Sequence, residues 1–134
     1  MNRAVFDTNV IVSGFLSPAG PPGRIVEWLR LGSVQAVLDD RIAAEYAEVL
    51  ARPVFQLPAA EVDIVLGAIR SRAFWVEAVA GQRTGNLPDP DDAPFLECAR
   101  TAGAPLVTGN LRHFPKSIAG KVLVLTPAQF VAAL

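Results

Sequence analysis

Short apolar runs alternate along the chain with longer stretches of helical spacing. Arg3 to Phe6 is a brief run that stops abruptly at Asp7-Thr8-Asn9. A buried strand delivering polar groups at its C-terminal end has this pattern. Pro18, Gly20, Pro21, Pro22 and Gly23 punctuate a loop, after which Ile25, Val26, Trp28, Leu29 and Leu31 predict a helix stopped by Gly32. Val34 to Leu38 is a second strand, and Asp39 or Asp40 caps a helix running to about Arg52. Pro53 and Pro58 mark the next break. Ala59 to Arg72 has helical spacing, with Val62, Val65, Leu66 and Ile69 on one face. Phe74 to Val79 reads as a strand and Gly81 to Asp91 as a polar loop. A helix then starts near Asp92, with Phe95, Leu96 and Ala99 facing inward. Pro105 to Thr108 and Val122 to Leu125 are short apolar strands, and Pro127 opens a closing helix.

Strands and helices alternating at these lengths predict the α/β class, as a three-layer α/β/α sandwich around a mostly parallel sheet. Ligands in such folds bind at the C-terminal ends of the strands. The polar residues that directly follow an apolar run are therefore the ones to weigh. At 134 residues the chain is expected to be a single domain spanning 1–134, without repeat, low-complexity tract or linker. An apolar fraction of 51% against 19% charged residues argues against disorder.

Charge narrows the partners only a little. Twelve Lys+Arg face 13 Asp+Glu, a formal net charge of −1, which excludes a broad basic glove or an acidic tail but leaves room for a local patch. The lone Cys98 excludes an intramolecular disulfide and a Cys-rich zinc site, and the single His113 excludes zinc sites built on paired histidines. No stretch approaches the ~18 apolar residues of a membrane span, and Asp7 and Asn9 interrupt the apolar run a signal peptide needs. A cytoplasmic protein without a membrane partner is expected.

The acids differ in context. Asp7 follows an apolar strand, where burial is costly for a lone carboxylate; it either caps a turn through Thr8 and Asn9 or belongs to a site. On the helix after Asp40, Ile42, Tyr46, Val49 and Leu50 define the apolar stripe. Glu45 falls about 40° from Val49, on the stripe's border. Glu48 falls about 100° away and can pair with Arg52 at i,i+4, a solvated role. Asp91 suits helix capping, whereas Asp92 shares the inward face of Phe95, Leu96 and Ala99. Asp89 is either a turn former or a supporting acid. Asn110 ends another apolar run, Leu106-Val107-Thr108-Gly109-Asn110, in which Gly109 either admits a ligand or turns the chain. Two carboxylates ~4 Å apart repel by ~4 kcal/mol at an effective dielectric of 20. A shared proton or a cation relieves this, and oxygen donors without a thiolate or imidazole cluster select a hard ion, Mg²⁺ or Mn²⁺. Hydrolysis of a phosphodiester is the natural chemistry of such a site.

Four stretches together are familiar: Val5-Phe6-Asp7-Thr8-Asn9-Val10, then Ala44-Glu45-Tyr46-Ala47-Glu48-Val49-Leu50-Ala51-Arg52-Pro53, then Asp89-Pro90-Asp91-Asp92 with Phe95-Leu96-Glu97-Cys98-Ala99, then Val107-Thr108-Gly109-Asn110. In order and spacing they resemble the PIN (PilT N-terminal) domain family, in the form of the toxins of bacterial toxin–antitoxin pairs. The likeness spans essentially the whole chain, including a Pro127-x-x-Phe130 ending.

The resemblance implies a five-stranded parallel sheet and a metal-dependent endoribonuclease leaving a 5′-phosphate and a 3′-hydroxyl. It places the family's acids at Asp7, Glu45 and Asp92, with Asn110 at a fourth position that is often Asp. Asp7, Glu45 and Asp92 would bind Mg²⁺ or Mn²⁺, with Thr8, Asn9 and Thr108 holding the acids by hydrogen bonds and Asp89 adding charge. The neutral Asn110 leaves three core carboxylates and puts a second tightly held metal in doubt. RNA is the implied substrate, a separately encoded antitoxin an implied partner, and a homodimer the family's habit, with Trp28, Phe55, Phe74 and Trp75 as candidate anchors.

Arg52, Arg112, His113 and Lys116 are the basic residues near enough in sequence to contact phosphates. Setting Asp7, Glu45, Asp89 and Asp92 aside as pocket acids leaves 9 acids against 12 bases outside the pocket. Two rivals stand beside this reading. One is a catalytically weak or inactive PIN-fold module that binds RNA or a partner; retained inward acids argue against it. The other is a phosphatase with Asp7 as nucleophile, which usually requires a second acid where this chain has Asn9. No phosphate-binding glycine fingerprint is present, and His113 reads as a surface or packing residue rather than a base.

Overall fold

Ala4, Val5 and Phe6 are three consecutive residues with no solvent exposure, so their strand must be covered on both faces. That strand, β1 (Arg3–Phe6), lies at the centre of a five-stranded sheet with β2 (Gln35–Leu38), β3 (Phe74–Trp75), β4 (Leu106–Val107) and β5 (Val124–Leu125). The computed structural model describes residues 2–78 and 86–134. Strand order is β3-β2-β1-β4-β5 and every pairing is parallel, with Arg3 opposite Gln35 and Val5 opposite Leu106. The α/β architecture and the five parallel strands are as expected.

Among the described residues seven α-helices accompany the strands: α1 (Thr8–Leu16), α2 (Pro21–Leu31), α3 (Asp40–Leu50), α4 (Ala59–Arg72), α5 (Ala93–Ala102), α6 (Lys116–Ala119) and, after β5, α7 (Pro127–Ala132). From β1 the chain steps outward to β2 and β3, then returns across the sheet to β4 and steps the other way to β5. Right-handed crossovers then put α1 to α4 on one face and α5 and α6 on the other. The last helix, α7, packs on α2 and rejoins the first face. The direction of winding reverses between β1 and β4. Their C-terminal ends therefore border the crevice where such sheets bind ligands.

Several expectations about elements need correcting. Helix α1 follows β1 directly, although its Thr-Asn-Val-Ile-Val opening is poor helix-forming sequence. Packing overrides that preference. A Cβ on Gly14 would stand 2.3 Å from Val26 Cγ2, and one on Gly23 would stand 2.0 Å from the Pro18 carbonyl oxygen. Glycine at 14 thus lets α2 pack closely on α1, glycine at 23 lets the connection at Pro18 lie against α2, and α2 begins at Pro21, inside the expected loop. Helix α3 ends at Leu50 rather than Arg52, because Pro53 starts a 3₁₀ turn (Pro53–Phe55). Strand β3 covers only Phe74 and Trp75, with one further bond from Val76 N to the Leu38 carbonyl at 2.9 Å; Val79 lies outside the described residues. Strands β4 and β5 are likewise two residues each, flanked by bonds from Leu106 N to Leu123 O and Thr108 N to Leu125 O at 2.9 Å.

Gly32 stops α2 in the left-handed region (φ 85°), and a capping box of Thr126 and Gln129 starts α7. Phe74 lies beneath the Arg3 guanidinium, 3.9 Å from its ring centre, and Trp28 and Phe55 are partly buried against the core. Of the four aromatic residues considered as interface anchors, Trp75 is the exposed one. No helix among the described residues is long and apolar enough to cross a membrane.

Candidate active site

The crevice is built on the residue after β1. Asp7 continues the strand by donating its backbone N–H to the Val107 carbonyl at 2.9 Å, and it stands at the N-cap position of α1. The residue is 5% exposed. Thr108, the residue after β4, is fully buried and donates its hydroxyl to Asp7 Oδ2 at 2.8 Å. That hydroxyl also accepts the backbone N–H of Asn110 at 3.1 Å. The sheet therefore holds Asp7 through both backbone and side chain.

Helix α3 brings the second acid. Its N-terminus is capped by Asp39, which accepts from Ile42 N at 3.0 Å. Tyr46, buried on the apolar face, donates its hydroxyl to the carbonyl of Phe6, the residue before Asp7. One residue earlier on the helix, Glu45 Oε2 accepts the Thr8 hydroxyl. Helix α3 is thereby tied to both sides of Asp7.

The third acid comes from the other face of the sheet. Asp89 caps a 3₁₀ turn (Pro90–Asp92) by accepting Asp91 N at 3.0 Å, and the turn leads into α5 with Asp92 8% exposed. Glu45, Glu48, Asp89, Asp91 and Asp92 line an open cleft of about 650 Å³ together with Arg52. A second 3₁₀ turn (Leu111–His113) follows β4 and sets His113 Nδ1 2.9 Å from Asp92 Oδ2. This is an ion-pair distance without hydrogen-bond alignment: Asp92 Oδ2 is shielded from solvent and accepts no hydrogen bond among the described residues.

Electrostatics follow from this crowding. Burial raises the pKa of Asp7, against the opposing pull of the Thr108 hydrogen bond, the Asn9 and Thr8 backbone N–H groups and the His113 charge. Burial, then the charges of Asp7 and Asp89, push Asp92 up to about 6, with His113 acting in the opposite direction. Burial and the nearby Asp7 and Glu45 charges keep the Tyr46 hydroxyl protonated. The pocket is short of positive charge, which is the condition a divalent cation relieves.

A family model described as PIN domain matches residues 3–112. The chain belongs to the PIN domain family. No curated protein matches it. PIN domains are typically nucleases and generally use divalent metals, and the acidic cluster of this PIN domain could hold one.

The PIN domain places Glu45 and Asp92 on one cleft, with the buried Asp7 close enough to Asp92 to act on its charge, Thr8 on Glu45 and Thr108 on Asp7. Asn9 acts on Asp7 through its backbone N–H, while its side chain does something further: Oδ1 accepts Gly109 N at 3.0 Å and clips the loop after β4 to α1. A Cβ on Gly109 would stand 3.3 Å from that oxygen, so the glycine makes room for Asn9. Asn110 turns its amide oxygen onto Arg112 N at 3.2 Å, capping the 3₁₀ turn instead of facing the acids. Arg52 is held by Glu48 in a two-bond pair, both at 2.9 Å, and Arg112 and Lys116 are exposed. His113 is neither a plain surface residue nor a packing one; it belongs to the acid cluster.

Three residues escaped the sequence reading. Tyr46 was visible only as part of an apolar stripe, although a tyrosine among aliphatic residues needs a buried partner for its hydroxyl. Arg41 and Glu97 form a brace between α3 and α5: Arg41 Nη1 lies 2.6 Å from Glu97 Oε1 and Nη2 lies 2.7 Å from Asp39 Oδ2. Cys98, beside them, is buried, and burial followed by the Asp39 charge pushes its thiol up to about 12.

Proposed function

We propose that this PIN domain is a metal-dependent endoribonuclease acting as the toxin of a toxin–antitoxin pair. Asp7, Glu45 and Asp92 would hold Mg²⁺ or Mn²⁺ at the switch point of the sheet. The observation that carries the reading is that Glu45 and Asp92, from two separate elements, line one cleft with buried Asp7 in electrostatic reach of Asp92, together with the solvent-shielded Asp92 Oδ2 that accepts no hydrogen bond among the described residues. A buried acceptor left in that condition is costly, and a bound cation satisfies it. The donor set also fits, since carboxylate oxygens suit hard divalent ions. Such an ion supplies charge to a phosphodiester oxygen and lowers the pKa of an attacking water.

The chain's own residues do the rest. Thr108 and the backbone fix Asp7, Thr8 fixes Glu45, and Tyr46 sets the distance of α3 from β1. Arg52 at the rim of the cleft, with Arg112 and Lys116 after β4, supplies positive charge for a phosphate chain. RNA as substrate, a homodimer and a separately encoded antitoxin complete the proposal.

Purified protein incubated with Mn²⁺ and labelled single-stranded RNA should cleave it, EDTA should stop the cleavage, and Asp7→Asn should abolish it. Cleavage by that variant at the wild-type rate, insensitive to EDTA, would sink the assignment. Metal binding without cleavage would favour the non-catalytic RNA-binding or partner-binding module.

A further inference from the structure

The cluster around Asp92 contains one donor that an all-carboxylate site lacks. Asp89, Asp92 and His113 each offer a ligand atom, and the three atoms lie within 4.8 Å of one another. Asp92 is 8% exposed, and its Oδ2 faces the imidazole without accepting a hydrogen bond from it or from any other described residue. The 2.9 Å separation of His113 Nδ1 and Asp92 Oδ2 is that of an ion pair and also that of neighbouring ligands of one ion. Metal–ligand bonds of about 2.1 Å at right angles put adjacent donors about 3 Å apart. Asp89 has its Oδ1 on Asp91 N, which leaves Oδ2 as the oxygen to turn toward an ion.

His113 is also held in place from both sides. Asn110 caps its turn through Arg112 N at 3.2 Å, His113 N bonds the Asn110 carbonyl at 3.1 Å, and Phe114 is buried in the core at 3% exposure. The amide at position 110 thus presents a histidine three residues later instead of an acid at its own position.

We propose that His113 is a nitrogen ligand of a divalent-cation site shared with Asp89 and Asp92, next to Asp7 and Glu45, and that it makes the chain prefer Mn²⁺ to Mg²⁺. Imidazole suits first-row transition ions, whereas Mg²⁺ keeps to oxygen ligands and gives up its water reluctantly. This rests on the reading of the crevice as a cation site, and it answers the missing fourth carboxylate with a softer donor.

The test uses the full chain with Mn²⁺ alone, read by calorimetry and by pulsed electron paramagnetic resonance. Wild type should bind Mn²⁺ at least about tenfold tighter than Mg²⁺ and show modulation from a coupled imidazole nitrogen. His113→Asn should lose that nitrogen signal and weaken Mn²⁺ binding by at least about tenfold, the lower range for disturbing a metal's surroundings. His113→Asp should bind without the nitrogen signal and with a narrower gap between Mn²⁺ and Mg²⁺. Mn²⁺ bound to wild type with no nitrogen coupling, or with an affinity unchanged in His113→Asn, overturns the role of His113. If Asp7→Asn then abolishes that binding, the carboxylate site survives without it. Absence of Mn²⁺ binding at millimolar levels overturns both.

Discussion

Thr108 donates its hydroxyl to Asp7 Oδ2 at 2.8 Å across 101 positions of sequence, joining the ends of the two strands at which the sheet reverses its winding. Thr108 Oγ1 also accepts Asn110 N at 3.1 Å, so its one hydrogen is committed to Asp7. Thr108→Val keeps the shape and removes both bonds, leaving two polar groups short of a partner in a fully buried position. A loss of about 1–3 kcal/mol is expected. Cleavage of RNA in Mn²⁺ should fall about 10- to 100-fold, as when a ligand loses the group that orients it. Thr108→Ser, which retains the hydroxyl, should keep most of both. Thermal melts and cleavage rates on the two variants decide it; equal rates in wild type and Thr108→Val would show that the bond does not position Asp7.

Burial sets the pH dependence of the metal-free protein. The Asp92 carboxyl rises from an ordinary value of 3.8 to about 6 in the folded chain. A group raised in this way contributes stability below its unfolded pKa that is lost as pH rises through its folded one. In EDTA, wild type should therefore lose stability relative to Asp92→Asn between about pH 4 and 7. At pH 7 the variant should melt higher by roughly 2–8 °C. Asp7, raised in the same direction, predicts the same sign for Asp7→Asn. Millimolar Mn²⁺ should raise the wild-type melting temperature and leave Asp92→Asn largely unmoved. A melting gap that is flat with pH in EDTA would contradict the cost assigned to this carboxylate.

What could be read from sequence divides along physical lines. Arg3–Phe6 and Ala59–Arg72 are elements whose own spacing decides them, and both have the expected bounds. Helix α1 does not reveal itself that way, because Thr8, Val10, Ile11 and Val12 are β-branched and the packing that favours the helix, such as the close contact of Gly14 with Val26, comes from elsewhere in the chain. The two-residue β3, β4 and β5 owe their extent to their neighbours. In the crevice, the border position of Glu45 and the inward face of Asp92 follow from helix geometry. His113 does not, since its position depends on a 3₁₀ turn capped by a side chain three residues earlier. Tyr46 and Arg41 were hidden for a related reason: a stripe analysis reports which face a residue occupies, not what its polar end reaches.

The brace between α3 and α5 should matter more for stability than for chemistry at the acids. Arg41 spans Asp39 at 2.7 Å and Glu97 at 2.6 Å, and Glu97 is 3% exposed. Glu97→Leu leaves Arg41 partly exposed and still paired with Asp39, so the loss is that of one charged hydrogen bond, about 1.5–3 kcal/mol, and the melting temperature should fall by several degrees. Replacing both, as Arg41→Met with Glu97→Leu, should restore part of that loss, giving a coupling that a double-mutant cycle measures. Additive losses in the double variant would show that the two side chains act independently.

Arg52 reaches the cleft already engaged, since Glu48 holds it through two 2.9 Å bonds and both side chains are more than half exposed. A phosphate approaching Asp92 must compete with Glu48 for that guanidinium. Glu48→Gln weakens the competitor without removing the arginine, so it should lower KM for RNA by about twofold to fivefold, the scale of an exposed ion pair. Arg52→Ala should raise KM by a similar or larger factor. Neither change touches the core, and melting temperatures should stay within about 2 °C of wild type. The effect of Glu48→Gln should also shrink as salt rises, because screening weakens exposed pairs and phosphate contacts alike. An unchanged KM in both variants would remove Arg52 from the path of the substrate and leave Arg112 and Lys116 as the cations to test.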